Sequence, residues 1–186
     1  LKNPDKYNHV MLGGWLSAAE GVVFPNWSYG TFDESLPYGY GQDFGFFPDP
    51  DVFVKVAIDS KRKRIYVKQM FTLNNAGTDL LIETIKKHVP DLKKPIVADS
   101  AEKRLISDLK AKGIKGIQAV KKGAGSVLEG IKTMQDYEII VDPDSNLIAR
   151  ELNNYVWSDK KKGVPVDLWN HWIDAIRYYC STFITK

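Results

Sequence analysis

The sequence predicts an α/β domain built on a mixed β-sheet flanked by helices. Three strand-like runs follow one another from Gly39 onward, joined by short polar turns. From about residue 77, helical periodicity alternates with short apolar runs, the pattern of parallel strands linked by crossover helices. The 186 residues, 44% hydrophobic and 26% charged, suit one compact domain with a core that needs no staples.

The meander is GYGQDFGFF (39–47), DVFVKVAID (51–59) and RIYVKQMF (64–71), the last two joined by the basic SKRKR turn. Leu81, Ile82, Ile85 and Val89 then recur at helical spacing until Pro90 ends the helix. PIVAD (95–99) is a short apolar strand. AEKRLISDLKAKG is a helix with Leu105, Ile106 and Leu109 inward and Gly113 at its stop. GIQAV, GSVLEGIKTM, YEIIVD and NLIARELNNYVW continue as strand, helix, strand and helix. After the polar loop SDKKKGVP, the helix DLWNHWIDAIRYYCSTFI carries an apolar stripe of Trp169, Trp172, Ile173, Ile176, Cys180 and Phe183. Residues 1–38, rich in Gly, Asn and aromatic residues, read as an extended arm packed on a domain spanning 39–186. The start at Leu1 suggests an excised fragment or a processed product.

Three aspartates stand out. Asp43 lies in a Gly- and aromatic-rich run, where Gly41 and Gly45 permit close approach of another backbone. Asp99 ends an apolar strand, where sites gather in sheets of this kind. Asp174 lies on the polar side of the last helix with His171 and Arg177. Each has a plain alternative: Asp43 satisfied by backbone N–H groups, Asp174 and Arg177 as an exposed ion pair, His171 as a solvent-facing histidine. If the three acids meet, their repulsion calls for protons or cations, and all-oxygen ligation favours Mg²⁺ or Mn²⁺ over zinc. On that view, Asp→Asn changes without metal should be neutral or stabilising. Two such ions suit phosphodiester hydrolysis.

The remaining signals exclude more than they assert. One cysteine, Cys180, rules out an intramolecular disulfide framework, and no long apolar span points to a membrane. There is no GxxxxGK[ST] loop and no GxSxG elbow. VDPDSN and PDPD (48–51) read as turns outside the site. The formal charge is only +3, but its lysines and arginines cluster, as at Lys61–Arg64, and such clusters suit either a polyanion path or solvated turns. KKGAGS (121–126) opens a helix, so its N–H groups and lysines suit a phosphate, or Gly125 and Ser126 simply cap the helix.

With these residues in view, GYGQDFGFFPDP, VADSAEKRLISDLKAKGI, KKGAGSVLEGI and NHWIDAIRY, in that order, resemble the nuclease domain of tailed-phage terminase large subunits. The resemblance runs from roughly residue 10 onward. It implies a ribonuclease H-like fold and a metal-dependent endonuclease that cuts double-stranded viral DNA during genome packaging, leaving 3′-hydroxyl and 5′-phosphate ends. It implies that Asp43, Asp99 and Asp174 bind Mg²⁺ or Mn²⁺, as a pair of ions, with His171 beside them. Lys121, Lys122 and Ser126 match a DNA-contacting segment, and Arg62 and Lys63 are further candidates for holding DNA. GGWLSAAEGVVF resembles a connector from an ATPase half. The implied partners are DNA, the terminase small subunit and the portal protein, in the host bacterial cytoplasm, with the isolated domain monomeric and away from membranes. Lys103 and Trp172 depart from the family pattern without removing a ligand. The alternatives are a non-catalytic DNA-binding or docking module and another ribonuclease H-like nuclease such as a junction resolvase.

Overall fold

The computed structural model describes residues 21–46 and 48–184. Seven strands form one sheet: β1 (Trp27–Tyr29), β2 (Tyr38–Asp43), β3 (Asp51–Asp59), β4 (Arg64–Leu73), β5 (Ile96–Ala98), β6 (Ile117–Ala119) and β7 (Glu138–Val141). Their order across the sheet is β1-β7-β4-β3-β2-β5-β6. The expected meander β2-β3-β4 is antiparallel and forms the middle, and parallel strands extend it on both sides. Among the described residues five α-helices pack on it: α1 (Thr78–His88), α2 (Lys103–Ala111), α3 (Ser126–Gln135), α4 (Asn146–Asn154) and α5 (His171–Phe183). The sheet is therefore mixed and covered on both faces, as the sequence predicts.

Strand alternation decides which residues meet which helices. On β3, Val52, Val54 and Val56 join the core that contains Ile131 and Met134 of α3, Ile148 and Leu152 of α4, and Ile173 and Ile176 of α5. Phe53 points the other way, stacked between Tyr40 and Phe71, in the core under Leu81 and Ile85 of α1 and Leu109 of α2. Complete burial of a Val, Ile or Phe side chain contributes roughly 1.5–3 kcal/mol, so these two cores dominate stability. The first of them also holds α5 flat against the strands.

Three expectations are corrected. The helix expected over NLIARELNNYVW stops at Asn154, because Tyr155 turns extended and its carbonyl accepts from the Val23 N–H at 2.8 Å. Val156 and Trp157 then form bridges to Val22 and Pro165 instead. The last helix begins at His171, not at Asp167: Trp169 has a left-handed φ of 60°, and the Asn170 side chain bonds Asp167 in a turn. Trp169 and Phe183 are thus partly exposed, while Trp172, Ile173, Ile176 and Cys180 form the buried stripe. Arg177, placed by spacing on the polar side, is only 3% exposed. Its stem lies over Gly130 of α3, where a Cβ would stand 2.7 Å from Arg177 Cγ.

The proposed connector, GGWLSAAEGVVF, lies mostly outside the described residues. Its last two residues, Val23 and Phe24, enter the core, and beyond it β1 runs parallel to β7 at the sheet edge. Among the described residues no helix is long and apolar enough to cross a membrane.

Candidate metal centre

Strand pairing brings the first two acids together. β2 and β5 are parallel neighbours with Gln42 opposite Ala98, so the next residues, Asp43 and Asp99, emerge side by side at the carboxyl ends of adjacent strands. Neighbouring strands lie about 4.8 Å apart. The third acid arrives on α5, which crosses β2 at Gly41. A Cβ on Gly41 would stand 2.0 Å from the Ala175 carbonyl oxygen, so only glycine lets the helix backbone come this close. Asp174, next to Ala175, is carried with it.

One face of α5 then addresses the strand ends. His171 and Tyr178 are two turns apart and both reach Asp43. His171 Nδ1 is 3.2 Å from Oδ2, and the Tyr178 hydroxyl donates to Oδ1 at 3.2 Å. Asp174 lies between them on that face and accepts two bonds from Arg177 on Oδ1, at 3.2 and 2.9 Å. Asp99 Oδ1 accepts the Ala101 N–H and, at 2.5 Å, the Lys122 ammonium. Lys122 Nζ also stands 5.1 Å from the Tyr178 ring centroid. Arg177 Cζ stands at the same distance from that ring, so Tyr178 bonds one acid and lies beside the partners of the other two.

The electrostatics follow from burial and charge. Burial first, opposed by Arg177 and reinforced by Asp43, raises the Asp174 carboxyl above the usual range. Burial, reinforced by Asp43, Asp174 and Asp99, pushes the Tyr178 phenol far up, so it stays a donor. The hydrogen bond to Asp43 lifts His171 to about 9 against the opposing cost of burial. His171 is thus an imidazolium at neutral pH, with Nε2 also 3.5 Å from Asp49 Oδ1.

Among the described residues no three His, Cys, Asp or Glu side chains are arranged to hold a metal ion as they stand. The acids instead hold an ammonium, a guanidinium and an imidazolium. That tests the fit in charge and donor type: Asp43 and Asp99 stand at adjacent strand ends, Asp174 lies on the helix face that reaches them, all their donors are oxygen, and each already binds positive charge. A hard divalent cation fits this set.

The other sequence candidates divide. Lys122 stands in the acid cluster. Lys121 and Ser126 line a neighbouring cavity of about 310 Å³ with Glu129, Gly130, Thr133, Ser181 and Ile184. The helix there starts at Ser126 after Gly125 with no side-chain cap. Arg62 and Lys63 do not join the cluster. They sit in the β3–β4 hairpin, past Asp59, whereas Asp43 pairs with Val52. That stretch of β3 spans roughly 23 Å. Arg62 pairs there with Asp59 at 3.6 Å, and Lys63 lies 4.7 Å over Tyr137.

Three residues of the neighbourhood escaped sequence reasoning. Tyr178 had a usable signal, since it lies four positions after Asp174 on the same helical face. Asp49 sits in the turn set aside as structural, yet faces His171. Glu151 of α4, 6% exposed, accepts from the backbone N–H groups of Trp172 and Ile173, and nothing in its local sequence announces that.

Comparison with known proteins agrees with this fold. Residues 43–182 match the family described as "Terminase RNAseH like domain". The large terminase subunit of Bacillus phage SPP1 is 32% identical over 194 residues, which cover 95% of this chain and 45% of that protein. The PBSX phage terminase large subunit of Bacillus subtilis is 27% identical over 129 residues, covering 68% of this chain and 29% of that one. The chain therefore spans less than half the length of these relatives. Among solved structures, the SPP1 large terminase nuclease domain with bound Mn aligns with a TM-score of 0.76 and 30% identity, over 88% of this chain and 99% of that one. The large terminase nuclease of thermophilic phage G20c with bound magnesium aligns at 0.63 and 19% identity, over 88% and 98%, and shows the shared fold. The architecture, the acid positions within the matched span and the relatives lead to one assignment: this chain belongs to the terminase ribonuclease H-like domain family.

Proposed function

We propose that the chain is the nuclease part of a phage terminase large subunit, an endonuclease that uses Mg²⁺ or Mn²⁺ to cut double-stranded DNA during packaging. The observation that carries this reading is the meeting of Asp43 and Asp99 at adjacent strand ends, under the helix face that bears Asp174, His171 and Tyr178. The bound Mn in the related SPP1 domain supports it.

In this reading Asp43, Asp99 and Asp174 hold the metal. When bound, a pair of ions supplies Lewis-acid activation of the attacking water and of the leaving oxygen. The protein's part is to hold and orient. Tyr178 and His171 grip the two oxygens of Asp43 from one helix, which fixes the carboxylate plane. Arg177 orients Asp174 through Oδ1. Lys122 exchanges Asp99 for a DNA phosphate, and Lys121 and Ser126 continue that contact along the backbone. The stretch before β1 leads from an ATPase half, and the small subunit, the portal and DNA are the partners in the infected cell.

The decisive experiment is plasmid cleavage with Mn²⁺ or Mg²⁺, with and without chelator, for the parent and for Asp43→Asn, Asp99→Asn and Asp174→Asn. Chelator-sensitive cutting by the parent alone is expected; equal cutting by parent and variants ends the reading. A four-way junction preferred over linear duplex would point to a resolvase. One observation favours a non-catalytic DNA-binding module: protein cations already satisfy all three acids. That module predicts salt-sensitive DNA binding without cleavage.

A further inference from the structure

Helix α5 carries His171 and Asp174 in its first turn, yet it has no cap of its own. Its N-cap residue is Asn170, whose side chain makes no capping bond and instead donates through Nδ2 to Asp167 Oδ1 at 3.1 Å. The first-turn N–H groups of Trp172 and Ile173 are buried with side chains 4% and 0% exposed, so water does not satisfy them. Both are taken by a single atom from another helix: Glu151 Oε2 accepts from Trp172 at 2.8 Å and from Ile173 at 3.1 Å. The carboxylate also lies at the positive end of the α5 dipole. Burial nonetheless raises this carboxyl to about 7, which means the chain keeps an acid where an apolar side chain would avoid the desolvation.

We propose that Glu151 is a positioning residue for the acid cluster: reaching across from α4, it fixes where α5 starts and how it is rotated, and so aims His171 and Asp174 together at Asp43. The bonded amides are the two that lie between His171 and Asp174 in sequence. Each helical residue turns the face by about 100°, so a start slipped by one residue swings both side chains off the strand ends. The close seat of Ala175 on Gly41 holds the helix against the sheet, and Glu151 sets its rotation about that seat. A residue that orients a ligand without touching the metal typically changes metal affinity 10–100-fold.

The proposal rests on the metal-binding part of the nuclease reading, and the test separates the two. Glu151→Gln keeps the reach and an acceptor oxygen but loses the charge. Glu151→Asp keeps the charge but is one methylene short. Mn²⁺ affinity is measured by calorimetry well below each melting temperature, with amide hydrogen exchange at Trp172 and Ile173 and the ring ¹⁵N shifts of His171. Expected is a Gln variant within about threefold of the parent and an Asp variant roughly 10–100-fold weaker. The Asp variant should also show faster exchange at both amides and altered His171 shifts. The reverse order, or parent-like Mn²⁺ affinity and His171 shifts in Glu151→Asp, overturns it. Should the parent itself bind no Mn²⁺, the nuclease reading falls. The exchange and His171 shifts of the same two variants then still decide for or against Glu151.

Discussion

His171 and Asp43 are 128 positions apart in the chain, yet Nδ1 of one lies 3.2 Å from Oδ2 of the other. This pair ties the first turn of α5 to the end of β2, and it makes stability depend on pH in a direction that can be worked out. His171 is raised from 6.5 to about 9 by its bond to Asp43, with Glu151 and Asp49 adding to the attraction and burial opposing it. A cationic group with a raised folded-state pKa contributes stability that is full below its unfolded value and is lost as pH rises through its folded value. Melting temperatures in chelator should therefore show the parent ahead of His171→Gln below pH 6.5, with the gap closing as pH passes 9. A gap that is constant with pH would mean that His171 has the same pKa folded as unfolded, so that the contact with Asp43 does not favour its charged form.

Like-charge repulsion among three carboxylates led to the expectation that Asp→Asn changes without metal are neutral or stabilising. The structure reverses it for Asp174. Arg177 has a side chain only 4% exposed, and its matched charge is Asp174 Oδ1 at 2.9 Å. Removing one member of a buried pair strands the other, at a cost of about 3–5 kcal/mol, toward the lower end here because Asp174 is itself partly exposed. Denaturant unfolding in chelator should show Asp174→Asn destabilised by roughly 3 kcal/mol. A variant as stable as the parent would show that the pair is not holding α5 in place.

The close seat of α5 on β2 is testable by one methyl group. In Gly41→Ala the added Cβ would stand 2.0 Å from Ala175 O and 3.2 Å from Val54 Cγ1, and the first of these is backbone that yields only if the helix moves. Overpacking of this kind costs about 1–3 kcal/mol. Because the shift displaces Asp174 from Asp43, Mn²⁺ affinity should fall along with thermal stability. Gly123→Ala, which meets nothing within 4 Å, is the control and should change neither. Full Mn²⁺ binding by Gly41→Ala would show that the acids converge without close helix seating.

How far the sequence was legible follows the range of the forces involved. The meander and the parallel strands were readable because alternation on DVFVKVAID and the short apolar run of PIVAD are local patterns. Asp99 was readable as a strand-end acid for the same reason. The start of α5 was not, because Trp169 fits the apolar period, and only the turn made by Asp167 and Asn170 keeps it off the helix. Val156 and Trp157 look helical until Val22 and Pro165 compete for their backbone. Helical spacing puts Arg177 with the polar residues, but a nearby acid and the bare backbone of Gly130 let it go inward. Glu151 and Asp49 act on α5 from other elements. No spacing within one segment reports such contacts.

Lys122 supplies the last test. Its ammonium rests on Asp99 Oδ1, so any divalent ion drawing on Asp99 has to share that carboxylate with a cation the protein already provides. The pair is partly solvated, with side chains 36% and 22% exposed, and such pairs contribute about 0.2–1 kcal/mol, a factor of roughly five at most. Lys122→Gln should therefore bind Mn²⁺ somewhat more tightly than the parent, by about two- to fivefold in a calorimetric titration without DNA. On DNA the same change should act in the opposite sense. Loss of one phosphate contact weakens binding and lowers the slope of log affinity against log salt by about one. The two measurements are independent, so their signs discriminate. Tighter Mn²⁺ with an unchanged salt slope would make Lys122 only a filler of the acid cluster. An unchanged Mn²⁺ affinity with a reduced slope would make it only a phosphate contact. Opposite shifts in the two would establish that one side chain passes between acid and phosphate.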